Sequence, residues 1–247
     1  MRTFFAAVMV LSMTAPLHSQ TAKEIVQKAN DLLHGKKTYS EITMTVEKPT
    51  WSRTVSMKAW GLEPDYSIVY ITAPARDKGS VTLKRKNEVW NWLPSVQKTI
   101  KIPPSMMLAS WMGSDFTNDD LVRQSSVVDD YTHSLLGDDT YEGFNCYKIQ
   151  LTPKPDAGVV WGKIVVWISK KEYMELKEEY YDEDSVLVRT MLGSKPKNFD
   201  GHYLPSYWEM IPANKPGNKT ILEYNELKFN VDLTPSFFSL QNMGRIK

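Results

Sequence analysis

The chain is short of cysteine, with Cys146 as the single example among its 247 residues. One cysteine cannot form a disulfide within the chain, so the hydrophobic core must supply the stability by itself. A chain spanning residues 20–247 can bury roughly 70 to 75% of its unfolded surface as one domain. We therefore expect a stable core without a crosslink, with Cys146 as a buried structural thiol.

Sequence patterns typical of catalysis are also missing. The chain has no Gly-x-Ser-x-Gly nucleophile turn, no phosphate-binding loop and no Gly-rich dinucleotide turn. Its histidines are scattered and lack the spacing of a zinc site; they are His18, His34, His133 and His202. We therefore predict that the protein is not an enzyme and uses no cofactor or metal. A hydrolase ranks third, behind two interpretations without catalysis.

The chain also lacks an excess of charge of one sign and has few long apolar runs. The 30 Lys and Arg residues nearly balance the 29 Asp and Glu residues, and their interspersed order argues against nucleic acid as a partner. An apolar run at residues 4–11 follows Arg2 and precedes Pro16, which is the pattern of a secretory signal peptide over residues 1–19. We expect export, cleavage near Ser19 or Gln20, and no lipid anchor, because no cysteine stands there.

Short stretches of alternating apolar residues are abundant. Residues 21–34 instead have helical spacing and precede Gly35, as a helix before a cap glycine would. The strand-like stretches are 42–46, 55–59, 66–72, 80–85, 89–93, 98–102, 145–152, 162–169, 174–181, 186–195, 203–211 and 219–229. This order predicts a mainly β fold with some helix: one curved antiparallel sheet of about eleven strands, an incomplete barrel. No linker or repeat interrupts residues 20–247, so we expect one domain.

An apolar segment interrupts the strands at residues 103–116, and we call it the flap. Pro104 suits the first turn of a helix and Gly113 suits its end. The large apolar side chains between them are Met106, Met107, Leu108, Trp111 and Met112. Methionine-rich surfaces adapt to variable partners, which favours a ligand-binding lid. The other interpretation is a helix that fills the core of its own domain.

Aromatic residues are frequent in and beside the predicted strands. Alternation places Trp90 and Trp92 on the same face of one strand, and Trp60 and Tyr70 lie in earlier strands. Such side chains suit the wall of a ligand cavity in a partly closed barrel. They suit a dry hydrophobic core equally well, so both interpretations stay open.

Several short motifs occur in a fixed order along the chain. They are Trp92-Leu93-Pro94, Lys101-Ile102, Gly113-Ser114-Asp115-Phe116-Thr117 and Asp120-Leu121. Together they resemble the bacterial outer-membrane lipoprotein-sorting family related to LolA and LolB. The resemblance covers nearly the whole chain after residue 20 and implies a half-open antiparallel barrel wrapped on a helical lid.

The resemblance also implies a function in the periplasm. It suggests a carrier of lipoprotein acyl chains or other lipids, with an inner-membrane transporter and an outer-membrane acceptor as partners. Carriers of this family keep an arginine on an early strand that helps to hold the lid closed. Arg53 matches that position, and we expect it to form a lid latch with Asp115. The alternative is a non-carrying envelope sensor or scaffold with the same fold and a filled interior, which could also work with a transporter.

Overall fold

The computed structural model describes residues 20–123 and 127–247. Its strands are β1 (Lys37–Lys48), β2 (Trp51–Leu62), β3 (Tyr66–Ala73), β4 (Val81–Arg85), β5 (Glu88–Leu93), β6 (Lys98–Lys101), β7 (Tyr131–Tyr141), β8 (Phe144–Pro153), β9 (Lys163–Ser169), β10 (Glu175–Tyr181), β11 (Leu187–Phe199), β12 (His202–Pro212) and β13 (Lys219–Phe229). All thirteen belong to one antiparallel sheet in the order β6-β5-β4-β3-β2-β1-β13-β12-β11-β10-β9-β8-β7.

The helices are short except the first. They are α1 (Ala22–His34), α2 (Asp120–Arg123) and α3 (Leu240–Met243), with 3-10 turns at Pro104–Met106 and Pro235–Phe237. None of the helices in the described part of the chain combines the length and apolarity of a membrane span.

The ends of α1 follow from two local signals. Thr21 and Glu24 form a reciprocal capping box, with hydrogen bonds of 2.8 and 3.2 Å, which satisfies two amides of the first turn. At the other end Gly35 has a φ of 56°. A Cβ built on Gly35 would lie 2.6 Å from the Phe229 ring, so both backbone and space require glycine there.

The order of strands forces the flap across the sheet. β1 pairs with β13, with Met44 opposite Leu222, so the two halves of the chain meet in the middle of the sheet. The two edges are therefore β6 and β7, which are consecutive in the chain. The flap and α2 connect these edges, and they must pass over one face of the sheet to do so.

Side chains alternate between two faces, and each face has its own cover. On the inner face, Ile25 of α1 packs against Ile149 and Val166, and Trp111 of the flap packs against Met44 and Met57. On the outer face, residues 231–246 cover Ile68, Tyr70, Val81 and Leu83. We call residues 231–246 the C-terminal segment.

The structure confirms the antiparallel, open and curved sheet predicted from the sequence. It also adds a strand, β7, at positions where Gly137, Asp138 and Asp139 resemble a turn. The register of β7 with β8 shifts between Leu135 and Gly137, and such a bulge accommodates glycine within a strand. The flap differs from the predicted helix: after the 3-10 turn at Pro104–Met106 it continues as turns with one bridge, Ser110 to Thr117.

Candidate functional site

A cavity of about 290 Å³ lies between α1, the flap and the inner face of the sheet. Val26 and Leu33 of α1 border it on one side, and Trp111 and Phe116 of the flap border it on another. The sheet supplies the remaining apolar wall, which includes Ile42, Met57, Ala59, Val69, Leu151, Ile164, Val166, Met191, Leu204, Trp208, Leu222 and Leu227.

Trp111 is the more buried of the two flap residues that border this cavity. It is 6% exposed and packs against Met44, Val55 and Met57. Its indole Nε1 donates a hydrogen bond of 3.2 Å to the hydroxyl of Thr82 on β4. The ring thus has both an apolar contact and a satisfied donor, which fixes the position of the flap over the sheet.

A buried ion pair joins the segment after the flap to the sheet. The Arg189 guanidinium of β11 donates to both carboxylate oxygens of Asp120, at 2.7 and 2.8 Å. Arg189 is 6% exposed, and its guanidinium lies 4.4 Å from the centres of the Trp161 and Tyr180 rings. Because either charge would be costly to bury alone, loss of one partner would destabilise the contact between α2 and β11.

Other polar groups near the cavity are also shielded from water. Burial raises the pKa of the Tyr224 hydroxyl, which borders the cavity. Burial lowers the pKa of Lys84, partly offset by Glu63 and Asp65, and the Lys84 ammonium donates to the Pro64 carbonyl at 2.9 Å. Neither cysteine nor histidine lines the cavity within the described residues. The described part of the chain also contains no group of acidic, histidine or cysteine side chains placed to hold a metal.

The five predicted flap residues do not all face the cavity. Trp111 and Met112 pack against the inner face, and Trp111 borders the cavity. Met106 and Leu108 point outward, with 49% and 64% of their surfaces exposed, and Met107 is half-buried. The separation arises because turns, unlike the predicted helix, do not align these side chains on one face.

Arg53 and Asp115 both hold the flap, but with different partners. Arg53 donates to the Met112 carbonyl at 3.3 Å and to Asp77 at 2.6 Å. Among the ion pairs of the described residues, Asp115 is joined to Lys48 at 2.6 Å rather than to Arg53. The flap thus has two separate anchors where the sequence predicted a direct latch.

The Asp115 anchor is the more buried of the two. Its carboxylate is 5% exposed and accepts a second hydrogen bond, of 2.8 Å, from the Thr220 hydroxyl. The same hydroxyl accepts a 2.9 Å hydrogen bond from the Asp115 amide. This geometry ties the flap to β1 and β13, the two strands at the centre of the sheet.

The predicted aromatic wall lies on the other face of the sheet. Tyr70, Trp90 and Trp92 pack in the outer cluster under the C-terminal segment and do not border the cavity. Trp60 touches the rim of the cavity, but its ring is 5.7 Å from Phe237 of the C-terminal segment. Strand alternation explains the result: Trp90 pairs with Leu83, whereas Asn91 shares the inner face with Thr82.

Sequence reasoning missed Lys48, Thr220 and Arg189. Arg189 shares its face with Met191, yet Val188 and Leu192 on the opposite face are equally apolar, so alternation does not mark the arginine as inward. Lys48 and Thr220 are polar residues at strand ends, where polar residues are common. Only their partners on the flap, far away in the chain, give them a role.

Comparison with known protein families identifies the family of this chain. A family model described as "Uncharacterized protein" matches residues 63–245, most of the chain. The chain belongs to this family. A search of curated proteins gave no match.

Several proteins of known structure share the fold. A DUF1329 family protein from Desulfovibrio piger is 23% identical, with a TM-score of 0.81 over 90% of this chain and 97% of that one. A domain described as an outer membrane lipoprotein-sorting protein, from Vibrio parahaemolyticus, is 23% identical, with a TM-score of 0.79 over 91% and 98%. A LolA superfamily protein from Nitrosomonas europaea is 23% identical, with a TM-score of 0.76 over 90% and 99%. The chain therefore has the LolA-like fold that its motifs predicted.

Proposed function

We propose that the protein is a periplasmic carrier that binds the acyl chains of lipoproteins or other lipids in its inner cavity. The observation that carries this proposal is the mostly apolar cavity that Trp111 borders between α1, the flap and the sheet. Such a carrier receives its ligand from an inner-membrane donor, such as a transporter, and passes it to an outer-membrane acceptor. No covalent chemistry is required.

Burial of apolar surface provides the binding energy. Each methylene removed from water contributes roughly 0.8 kcal/mol, so an acyl chain of a dozen methylenes gains about 10 kcal/mol before ordering costs. The cavity is at the small end of the range for ligand sites, which is about 300 to 1,000 Å³. A complete acyl chain therefore requires the flap to move outward.

Release follows from competition for the same wall. In the closed form Trp111 packs against Met44, Val55 and Met57, and Met57 also lines the cavity. A ligand that displaces the ring loses its place when the ring returns, because the two cannot bury the same surface together. The flap thereby offsets part of the free energy lost when the ligand leaves.

The deciding experiment identifies what the protein carries. We expect mass spectrometry of organic extracts from the protein, purified gently from a periplasmic fraction, to show stoichiometric lipid or lipoprotein acyl species above a mock-purified control. Absence of any such species would contradict the carrier and favour the sensor or scaffold with the same fold.

A matched pair of variants tests whether the cavity holds the lipid. Ala59 borders the cavity, so Ala59→Leu should fill part of it and reduce the extracted lipid. Ala213 lies exposed in the turn between β12 and β13, so Ala213→Leu should leave the lipid content unchanged. Equal lipid in both variants would place the ligand elsewhere.

A further inference from the structure

Four connections, with the first strand residues beside two of them, meet at one end of the sheet, and we call them the basic rim: residues 49–54, 74–80, 94–98 and 213–218. Antiparallel order places all four at the same end. A Cβ built on Gly217 would lie 3.3 Å from Pro49, and one built on Gly79 would lie 3.5 Å from Pro94. The Arg53 guanidinium reaches Asp77 at 2.6 Å. These contacts make the four connections one continuous edge.

The basic rim has a surplus of positive charge. Its cations are Arg53, Arg76, Lys78, Lys98 and Lys215, and its one carboxylate is Asp77. Two of the cations, Arg53 and Arg76, share that carboxylate at 2.6 and 3.1 Å. The turn between β10 and β11, at the same end of the sheet but in its other half, is acidic instead, with Asp182, Glu183 and Asp184.

An open cleft divides the basic rim between residues 51–54 and 74–76. Its lining is Trp51, Ser52, Arg53, Thr54, Pro74 and Arg76. The Arg53 Nε is buried and makes no hydrogen bond, and the Arg76 side chain is 67% exposed beside its ion-pair partner Asp77. Guanidinium groups beside hydroxyl groups are the donors that recognise a phosphate group.

Apolar side chains project from the same edge. Trp51 is 47% exposed and Val96 is 55% exposed, each at or beside a turn of the basic rim. Tryptophan favours the interface between a bilayer and water, where the ring reaches lipid and the indole N–H reaches polar groups. A soluble phosphate ester would leave both side chains in water, so their exposure favours a lipid surface.

We propose that the basic rim docks the protein on a bilayer that contains anionic lipid. Trp51 and Val96 enter the headgroup layer, and one lipid phosphate occupies the cleft between Arg53 and Arg76. The docking does not depend on what fills the inner cavity. Both flap anchors, Arg53 and Lys48 with Asp115, are at this end of the sheet, so the docked protein turns its flap attachment toward the membrane.

Vesicle co-sedimentation tests the proposal with the purified full chain. We expect binding to vesicles of phosphatidylcholine mixed with phosphatidylglycerol, little binding to phosphatidylcholine alone, and loss of binding in high salt. Arg76→Gln should weaken partitioning about fivefold, the effect of one cation near a charged membrane. Trp51→Ser should weaken binding without changing its salt dependence.

Matched controls lie at the opposite end of the sheet. Lys171 is 91% exposed between β9 and β10, and Tyr203 is 41% exposed on β12. Lys171→Gln and Tyr203→Ser should bind vesicles as the unchanged protein does. The proposal fails if either control weakens binding as much as its counterpart, or if both vesicle types bind equally. It also fails if glycerol phosphate in solution binds as tightly as the vesicle surface.

Discussion

The two covers of the sheet are held in different ways. The C-terminal segment covers the outer face by apolar packing, with Phe238 fully buried and stacked 5.6 Å from Tyr66. The flap and α2 cover the inner face by one buried ring and by polar anchors that involve Asp115 of the flap and Asp120 of α2. Apolar packing has no alternative partner in water, whereas ion pairs and hydrogen bonds can be exchanged for water or ligand. The outer cover is thus part of the core, whereas the inner cover is held mainly by contacts that can be exchanged, as the proposed carrier requires.

The largest expected effect comes from the outer cover. Phe238→Ala should lower the free energy of unfolding by about 3 to 5 kcal/mol, because the change leaves a cavity in a packed cluster. Urea unfolding measures the loss. Leu240→Ala, two residues away at a side chain 42% exposed, should change stability by less than about 0.5 kcal/mol. Similar values for the two variants would mean that Phe238 does not hold the C-terminal segment on the sheet by burial.

The buried ion pair on the inner face should give the next effect. Asp120→Asn leaves the Arg189 guanidinium buried with its charge unpaired, so the packed position of α2 and of the adjoining flap should lose about 3 kcal/mol. Amide hydrogen exchange should then become roughly a hundredfold faster at residues 109–119, while β3 and β4 keep their protection.

The control for that experiment is an exposed pair. Asp129 is 86% exposed in its contact with Lys23, so Asp129→Asn should leave exchange of the flap unchanged. If Asp120→Asn accelerates exchange in β3 and β4 as much as in the flap, the flap does not open as a separate unit.

A smaller effect is expected when the Asp115 anchor of the flap is weakened. Asp115→Asn weakens the hydrogen bonds to Lys48 and Thr220, and bonds to a charged group contribute about 1.5 to 3 kcal/mol. Binding of a fluorescent fatty acid should therefore become faster, because the flap opens more often. Glu88→Gln, in an ion pair with Lys101 that is about half exposed, should leave this rate unchanged; an equal increase there would contradict an anchor specific to Asp115.

The smallest expected effect is a loss of folding stability at alkaline pH, through Tyr181 on the outer face. Burial and a hydrogen bond to Glu179 raise the pKa of Tyr181 from 10.0 to about 12. Between these values the unfolded chain loses this proton while the folded chain keeps it, so stability should fall as pH rises from 10 toward 12. Tyr181→Phe should make that decline shallower in unfolding measured along the pH series. A decline of unchanged slope would mean that Tyr181 does not contribute.

The helix and most strands were predictable because their signals are local. The helix α1 needs only its apolar spacing, the Thr21 cap and Gly35, and all three lie within its own segment. Strand alternation likewise located twelve of the thirteen strands. The strand β7 was missed because Gly137 and two aspartates imitate a turn, and only pairing with β8 holds them extended.

The candidate site was less accessible to prediction because faces and partners are long-range properties. Alternation correctly placed Trp90 and Trp92 on one face, but nothing local tells which face carries the cavity. That choice depends on which cover reaches which side, and residues 231–246 lie far along the chain from β5. The Asp115 and Arg189 contacts depend in the same way on strands brought together by the fold.

The amino-acid sequence by itself determined the mainly β fold and the presence of an apolar flap, because helix caps, alternation and turn residues act over a few neighbours. Only the tertiary structure decided that Trp111 of the flap borders a cavity and that Trp90 and Trp92 are packed under the C-terminal segment. It also decided that Arg53, Lys48 and Thr220 anchor the flap and that Arg189 anchors α2. These outcomes depend on how distant strands pair in one curved sheet, and such pairing is a property of the whole chain.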